Sequence, residues 1–164
     1  MLNIDFDGSR RVAVPPEALW QEVYPLSHLL RLVPELADFE VFGEESRAFA
    51  QISFSVATVE WNVVAEAKVD VAEPPSLLRW SVFIPSMRVE LVGEIQIEGK
   101  GDHAILKYDC ELACQNRFLS RMMKTTLIAL LEDHVDHVLE QASDAAVKHV
   151  EAARRLSEAG REER

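Results

Sequence analysis

Several features that define other classes of protein are scarce in this chain. Its 164 residues include two cysteines, and 17 basic residues face 28 acidic ones, so the formal charge is −11. That deficit of positive charge argues against nucleic acid and anionic lipid as partners, because both need a basic face. No run approaches the roughly 18 apolar residues of a membrane span, so stable membrane insertion is not expected.

Sequence motifs that announce common chemistries are missing as well. We find no nucleophile elbow, phosphate-binding loop, paired-cysteine zinc motif or dinucleotide fingerprint. We therefore expect no cofactor, no metal and no catalytic residue that the sequence alone can name. The stretch Met1–Asp5 lacks the basic and apolar regions of a signal peptide, so the expected location is the cytoplasm.

The two cysteines, Cys110 and Cys114, lie four residues apart in a predicted strand. At a rise of ~3.3 Å per residue they share one face about 13 Å apart. A disulfide needs Cα atoms within roughly 7 Å. We therefore expect both to be reduced, buried thiols.

What the chain does have is a long amphipathic stretch near its end, from Arg117 to about Ala146. Apolar residues recur there at three- and four-residue steps, which predicts one helix with a buried stripe. Acidic residues and His137 fall largely on the opposite side. The stripe consists of Leu119, Met123, Leu127, Leu130, Leu131, His134, Val138 and Ala142, and the polar side of Glu132, Asp133, Asp136, His137 and Glu140.

The end of the chain, residues 147–164, is predicted to be a charged extension of a ligand-binding domain that covers residues 1–146. A helix from Arg117 to Ser157 would be about 60 Å long, whereas the radius of gyration expected for this size is ~15 Å. The extension must therefore overhang as helix, be disordered, or contact a second copy of the chain or another protein.

Before Arg117 the pattern changes to strict alternation, which predicts strands that bury one face. A strand over Leu2–Val14 leads into a helix opened by Pro15 and Pro16, and a second short helix ends before Pro34. The fold class is therefore α+β: a curved antiparallel sheet of about seven strands, in the order β-α-α-β-β-β-β-β-β-α, wrapped around the long C-terminal helix. The remaining strands are predicted near 39–43, 48–56, 59–71, 78–84, 87–97 and 104–114.

This order resembles the START/SRPBCC superfamily, whose fold is called the helix grip. The phrase Val14–Trp20 is similar to its opening strand-to-helix junction, Leu32–Pro34 to the end of its second helix, and Val71–Pro75 to its turn after a long strand. Within the superfamily the chain resembles most the polyketide cyclase-like proteins and the family of the carbon monoxide dehydrogenase G subunit. The resemblance implies a hydrophobic cavity between the sheet and the long helix.

The predicted inner face mixes bulky and small side chains, so a sheet and one helix need not fill the space between them. Such a cavity suits a mostly hydrophobic ligand held by one or two hydrogen bonds. The alternative is that these residues simply pack as core. The candidate ligand-binding residues are Trp61, Trp80, Met87, Leu91, Tyr108, Cys110, Met123, Leu127 and His134.

Two of these candidates could make polar contacts. Tyr108 is the better one, because a buried phenol needs a hydrogen-bond partner. His134 lies on the apolar stripe, where it either contacts a ligand or is satisfied within the core. Asp133 and His137 form an i, i+4 pair that we interpret as an exposed helix contact and not as a metal site.

Three functions follow as hypotheses. The first is binding or transport of a hydrophobic small molecule such as a lipid, quinone or polyketide-like compound. The second is a cyclase or dehydratase reaction, which would need Tyr108 and His134 in one cavity. The third, implied by the resemblance to the carbon monoxide dehydrogenase family, is an accessory component of a molybdenum hydroxylase.

Overall fold

The computed structural model describes residues 2–33, 36–56, 58–117 and 124–163, except for the side chains of residues 37, 54, 56 and 124–131. The described chain contains a seven-stranded antiparallel sheet in the order β1-β7-β6-β5-β4-β3-β2. The strands are β1 (Leu2–Val12), β2 (Leu36–Phe42), β3 (Arg47–Val56), β4 (Val59–Glu73), β5 (Leu77–Ile84), β6 (Val89–Lys100) and β7 (His103–Cys114). The helices are α1 (Pro16–Val23), α2 (Leu26–Arg31), a short 3-10 helix (Pro85–Met87) and α3 (Lys124–Glu162).

The sheet and the long final helix confirm the predicted α+β helix-grip fold. Chain neighbours pair as hairpins from β2 to β7, and β1 returns to pair with β7. A two-residue turn joins Lys100 to His103, which lie directly opposite each other. Gly101 enables this turn, because its φ of 62° is unfavourable for a residue with a side chain.

The first helix begins where its prolines predict, and a further proline separates it from the second helix. Pro16 stands in the first turn of α1, followed by Glu17, and Pro25 precedes α2. Leu19 and Val23 of α1 are fully buried against the sheet and α3. The junction between β1 and α1 thus anchors one end of the core.

Helix α3 packs against α1 and β1, and its described buried side chains include Leu139, Ala142 and Ala146. Nδ1 of His149 lies 2.5 Å from Oε1 of the buried Glu22, which ties α3 to α1. These contacts place α3 across the inner face of the sheet. Among the described helices, including α3, none has the length and apolar character needed to cross a membrane.

The ends of the elements depart from the sequence expectation in three places. Strand β1 ends at Val12, two residues early, because Val14 already belongs to the buried junction with α1. Met87 was predicted in a strand but closes the 3-10 helix, where it is 3% exposed. The long helix runs on to Glu162, and every side chain from Glu151 to Glu163 is exposed. The helix was expected to start at Arg117, and residues 118–123, which follow that position, lie outside the described part.

Candidate ligand cavity

Small side chains cover part of the inner face of the sheet. Ala48 and Ala50 of β3 lie directly opposite Ala67 and Ala65 of β4. All of these alanines are buried. We call them the alanine patch. Because a methyl group reaches a short distance above the strand, the patch leaves space beneath the helices that larger residues would fill.

A cavity of about 310 Å³ occupies that space. Its floor is the inner face of β3 to β7, and its roof is α2 together with one side of α3. Most of the side chains that surround it are aliphatic and the surface they present to it is almost wholly apolar, so the cavity favours apolar molecules. Its lining includes Leu26, Leu29 and Leu30 of α2, Ala50, Ala65 and Ala67 of the alanine patch, and Val135, Val138 and Leu139 of α3.

Helix α2 is held over the cavity by a contact with the turn between β2 and β3. The backbone N–H of Ser27 donates to Oε2 of Glu45 over 2.8 Å, and the hydroxyl of Ser27 donates to Oε1 over 3.0 Å. A carboxylate at the beginning of a helix also complements the partial positive charge there. Glu45 therefore fixes the short helix that forms one wall.

Tyr108 connects the floor to the helix above it. Its hydroxyl donates to Oδ1 of Asp136 on α3 over 2.5 Å. Its ring lies over Gly8 of β1, where a Cβ atom would collide with it. Burial, followed by the hydrogen bond and negative charge of Asp136, raises the pKa of the Tyr108 phenol well above its usual range. At neutral pH Tyr108 is therefore a neutral hydrogen-bonding group and not a base.

Trp80 leans across a second glycine. It stands opposite Gly93 of β6, and a Cβ atom on Gly93 would overlap the six-membered ring of the indole. The indole nitrogen Nε1 is buried and has no hydrogen-bond partner among the described residues. Such an orphaned donor is uncommon in protein interiors and therefore needs a physical explanation.

Cys110 lies in the same cross-strand row as Gly93 and belongs to the cavity lining. Burial raises its pKa to about 12, so the thiol stays protonated and unreactive at neutral pH. Cys110 and Cys114 are both buried and form no disulfide, which confirms the expectation of two reduced thiols.

The structure brings most of the predicted site residues to one cavity. Trp80, Met87, Leu91, Tyr108, Cys110 and His134 all line it. Trp61 instead lies half-buried against the main core, outside the lining. Met123 lies outside the described residues, and Leu127 belongs to α3 but its side chain is not described.

The sequence did not predict that α2 covers the cavity, nor that Asp136 accepts the hydrogen bond of Tyr108. The sequence predicts α2 as a short helix, and the apolar character of its leucines does not by itself place them over a cavity. Asp136 was assigned to the solvent side of the long helix, yet it accepts the hydrogen bond of Tyr108. The available signal was the need of a buried phenol for a partner, which indicates that a partner exists without naming it.

A second depression, of about 650 Å³, lies on the outer face of β1, β7, β6 and β5. Its walls include exposed polar side chains such as Gln96, Lys107 and Asp109. Arg79 donates to Oε2 of Glu94 within it. These solvated charges make it a poor site for an apolar ligand. Within the described part of the chain, no group of three or more His, Cys, Asp or Glu side chains could hold a metal ion.

Neither a protein-family model nor a curated protein matches the sequence. Solved structures do match over almost the whole chain. A conserved protein from Geobacillus kaustophilus is 17% identical with a TM-score of 0.75, covering 90% of this chain and 96% of its own. The Zhui aromatase/cyclase from Streptomyces sp. R1128 is 14% identical with a TM-score of 0.69, covering 93% and 98%.

A third similar structure is Ara h 8.0201, at 8% identity and a TM-score of 0.67, covering 89% of this chain and 99% of its own. Identities this low establish likeness of fold alone. They confirm the helix-grip fold, shared with the START/SRPBCC superfamily, that the sequence predicted.

Proposed function

We propose that this protein binds and carries a hydrophobic small molecule between its sheet and α3. The observation that carries the proposal is the cavity of about 310 Å³ with an almost wholly apolar lining. Well-packed interiors contain few voids much larger than a water molecule. A space of this size above a patch of alanines is therefore better explained by a ligand than by imperfect packing.

The residues proposed to contact the ligand come from the floor and the roof together. Leu91 and Met87 supply apolar surface from below, and Leu30 and Val138 supply it from above. The lining also includes residues whose side chains carry polar atoms, among them Tyr24, Trp80, Tyr108, Cys110 and His134. Lys68 also borders it, but its ammonium group pairs with Asp70 at 3.3 Å. A neutral ligand is therefore favoured, because a buried charge without a partner is costly.

Native mass spectrometry of the protein as purified tests the proposal, combined with organic extraction and identification of what is released. We expect a bound apolar compound, or uptake of one from an added mixture of neutral lipids and quinones. A protein that carries no such compound and takes up none from the mixture would refute the proposed function.

A cyclase- or dehydratase-type reaction in the same cavity is a second candidate. It is favoured by the common position of Tyr108 and His134 on the lining, and by the fold shared with an aromatase/cyclase. In such a reaction His134 would be the proton acceptor, since the raised pKa of Tyr108 makes its phenol a poor base. A polyketide-like compound recovered unchanged after incubation with the protein would count against this candidate.

A further inference from the structure

The donor at Nε1 of Trp80 carries an inference about the ligand, and this inference rests on the proposed function. The indole belongs to a side chain that lines the cavity, yet its nitrogen has no acceptor among the described residues. The neighbouring thiol of Cys110 does not provide one within hydrogen-bonding geometry. An N–H donor left in an apolar interior is unfavourable, and a bound acceptor would remove that cost.

We propose that the ligand carries a neutral oxygen acceptor, a carbonyl group, and that Nε1 of Trp80 donates a hydrogen bond to it. The indole N–H is a donor only, so it distinguishes a carbonyl from a hydrocarbon. The same donor disfavours a protonated amine, which can only donate. A carboxylate is disfavoured too, because the ammonium group of Lys68 is paired with Asp70 and a bare buried charge is costly.

The position of the ring shapes how this contact forms. Its six-membered half rests on Gly93, and Nε1 itself is closed off from free surface. A carbonyl therefore meets the donor only if the indole tilts slightly as the ligand enters. The cavity above Ala65 and Ala67 of the alanine patch provides the room for that movement. The hydrogen bond thus forms when the ligand binds. Its formation should change the NMR chemical shift of the Trp80 indole N–H.

The matched probes for this proposal are tetralin and 1-tetralone, which have the same bicyclic frame and differ by one carbonyl. The chain has three tryptophans, so its proton–nitrogen NMR spectrum contains three indole N–H signals. We expect 1-tetralone to shift the Trp80 signal downfield and tetralin to leave it without that shift. A Trp80 signal that responds equally to both probes would overturn the proposal in the unmodified protein.

Affinities give a second readout that does not depend on the intrinsic solubility of the probes. The ratio of the 1-tetralone to the tetralin association constant should fall roughly three- to tenfold in Trp80→Phe, as expected for one neutral hydrogen bond. Trp61→Phe is the matched control, because Trp61 lies outside the lining, and it should leave the ratio unchanged. An unchanged ratio in Trp80→Phe would also overturn the proposal.

The same titrations separate this inference from the proposed function. If both probes bind and the Trp80 donor plays no part, the carbonyl preference is wrong and the hydrophobic cavity function stands. If neither probe binds, and apolar compounds are not retained in native mass spectrometry, the proposed function fails and the carbonyl inference fails with it.

Discussion

The inner face of the sheet has two parts whose side chains are buried to a similar degree but differ in volume. In the packed half, formed by β1 and the part of β7 outside the cavity lining, inward side chains such as Phe6, Val12 and Leu106 are 0–5% exposed. In the hollow half, formed by β3 and β4, the alanine patch is 1–8% exposed. Alternation and burial are the same in both halves. Only side-chain volume differs, and that difference decides where a cavity remains.

Glycine adds a second contrast within the same sheet. Gly8 in the packed half lets the ring of Tyr108 settle over β1 and reach Asp136. Gly93 at the border of the hollow half lets Trp80 lie flat on β6. In one place the aromatic ring completes a hydrogen bond to α3, and in the other it leaves a buried donor that has no acceptor in the described part of the chain.

The comparison predicts that equal truncations have unequal costs. Leu106→Ala in the packed half should lower the free energy of unfolding by about 2–5 kcal/mol, because it opens a void in a closed core. Leu30→Ala on α2 should cost less than about 1.5 kcal/mol, because that half-buried side chain already borders free space. Urea unfolding of both variants measures the difference, and equal losses would mean that the two halves are packed alike.

Adding one carbon in the packed half should also be costly. Gly8→Ala places a Cβ atom against the ring of Tyr108, so the ring must leave its position over β1. We expect a loss of about 1–3 kcal/mol in the free energy of unfolding. The combination of Gly8→Ala with Tyr108→Ala tests the cause, because the penalty of the added carbon should largely disappear without the ring. A penalty that persists unchanged would place the strain elsewhere.

Removing the phenolic oxygen should have a smaller effect. Tyr108→Phe deletes the hydrogen bond to Asp136 but leaves that exposed carboxylate able to bind water, so the expected loss is about 0.5–1.5 kcal/mol. Thermal unfolding at neutral pH measures it. Tyr24→Phe is a suitable control, since it also removes a phenolic oxygen from a residue that borders the cavity.

The same hydrogen bond predicts a dependence on alkaline pH. The folded state holds the pKa of Tyr108 above its ordinary value, so the unfolded chain releases this proton first as the pH rises past about 10. The stabilising contribution is complete below that pH and decreases above it. The difference in urea midpoint between about pH 9 and about pH 11 should therefore be smaller in Tyr108→Phe than in the parent. Identical pH profiles would contradict the assignment.

The smallest expected effect concerns reactivity and not stability. Because burial raises the pKa of Cys110 to about 12, a water-soluble disulfide reagent should modify it slowly in the folded protein at about pH 8. A cavity ligand should slow the reaction further, because Cys110 lines the cavity. Cys114→Ser leaves Cys110 as the remaining thiol, so the measured rate of modification is that of Cys110. Fast modification that ligand does not affect would place Cys110 outside the binding space.

The sequence predicted the alternation of strands, the buried stripe and the order of elements, because these depend on local periodicity. It could not predict that α2 roofs the cavity, since the contact of Ser27 with Glu45 joins segments that periodicity does not relate. The pairing of Tyr108 with Asp136 was hidden for the same reason. The inward alanines at positions 48, 50, 65 and 67 were visible in the sequence, but only the register of β3 and β4 makes them neighbours.

Filling the hollow half shows whether the ligand is bound in the cavity over the alanine patch. Ala65→Leu adds bulk at the alanine patch, and Ala113→Leu adds the same atoms on the outer face of β7. We would titrate both variants and the parent with the neutral fluorescent probe N-phenyl-1-naphthylamine and verify folding by urea unfolding. We expect the affinity for N-phenyl-1-naphthylamine to fall at least about tenfold in Ala65→Leu and to stay at the parent's value in Ala113→Leu. Equal affinity in all three folded proteins would contradict this expectation.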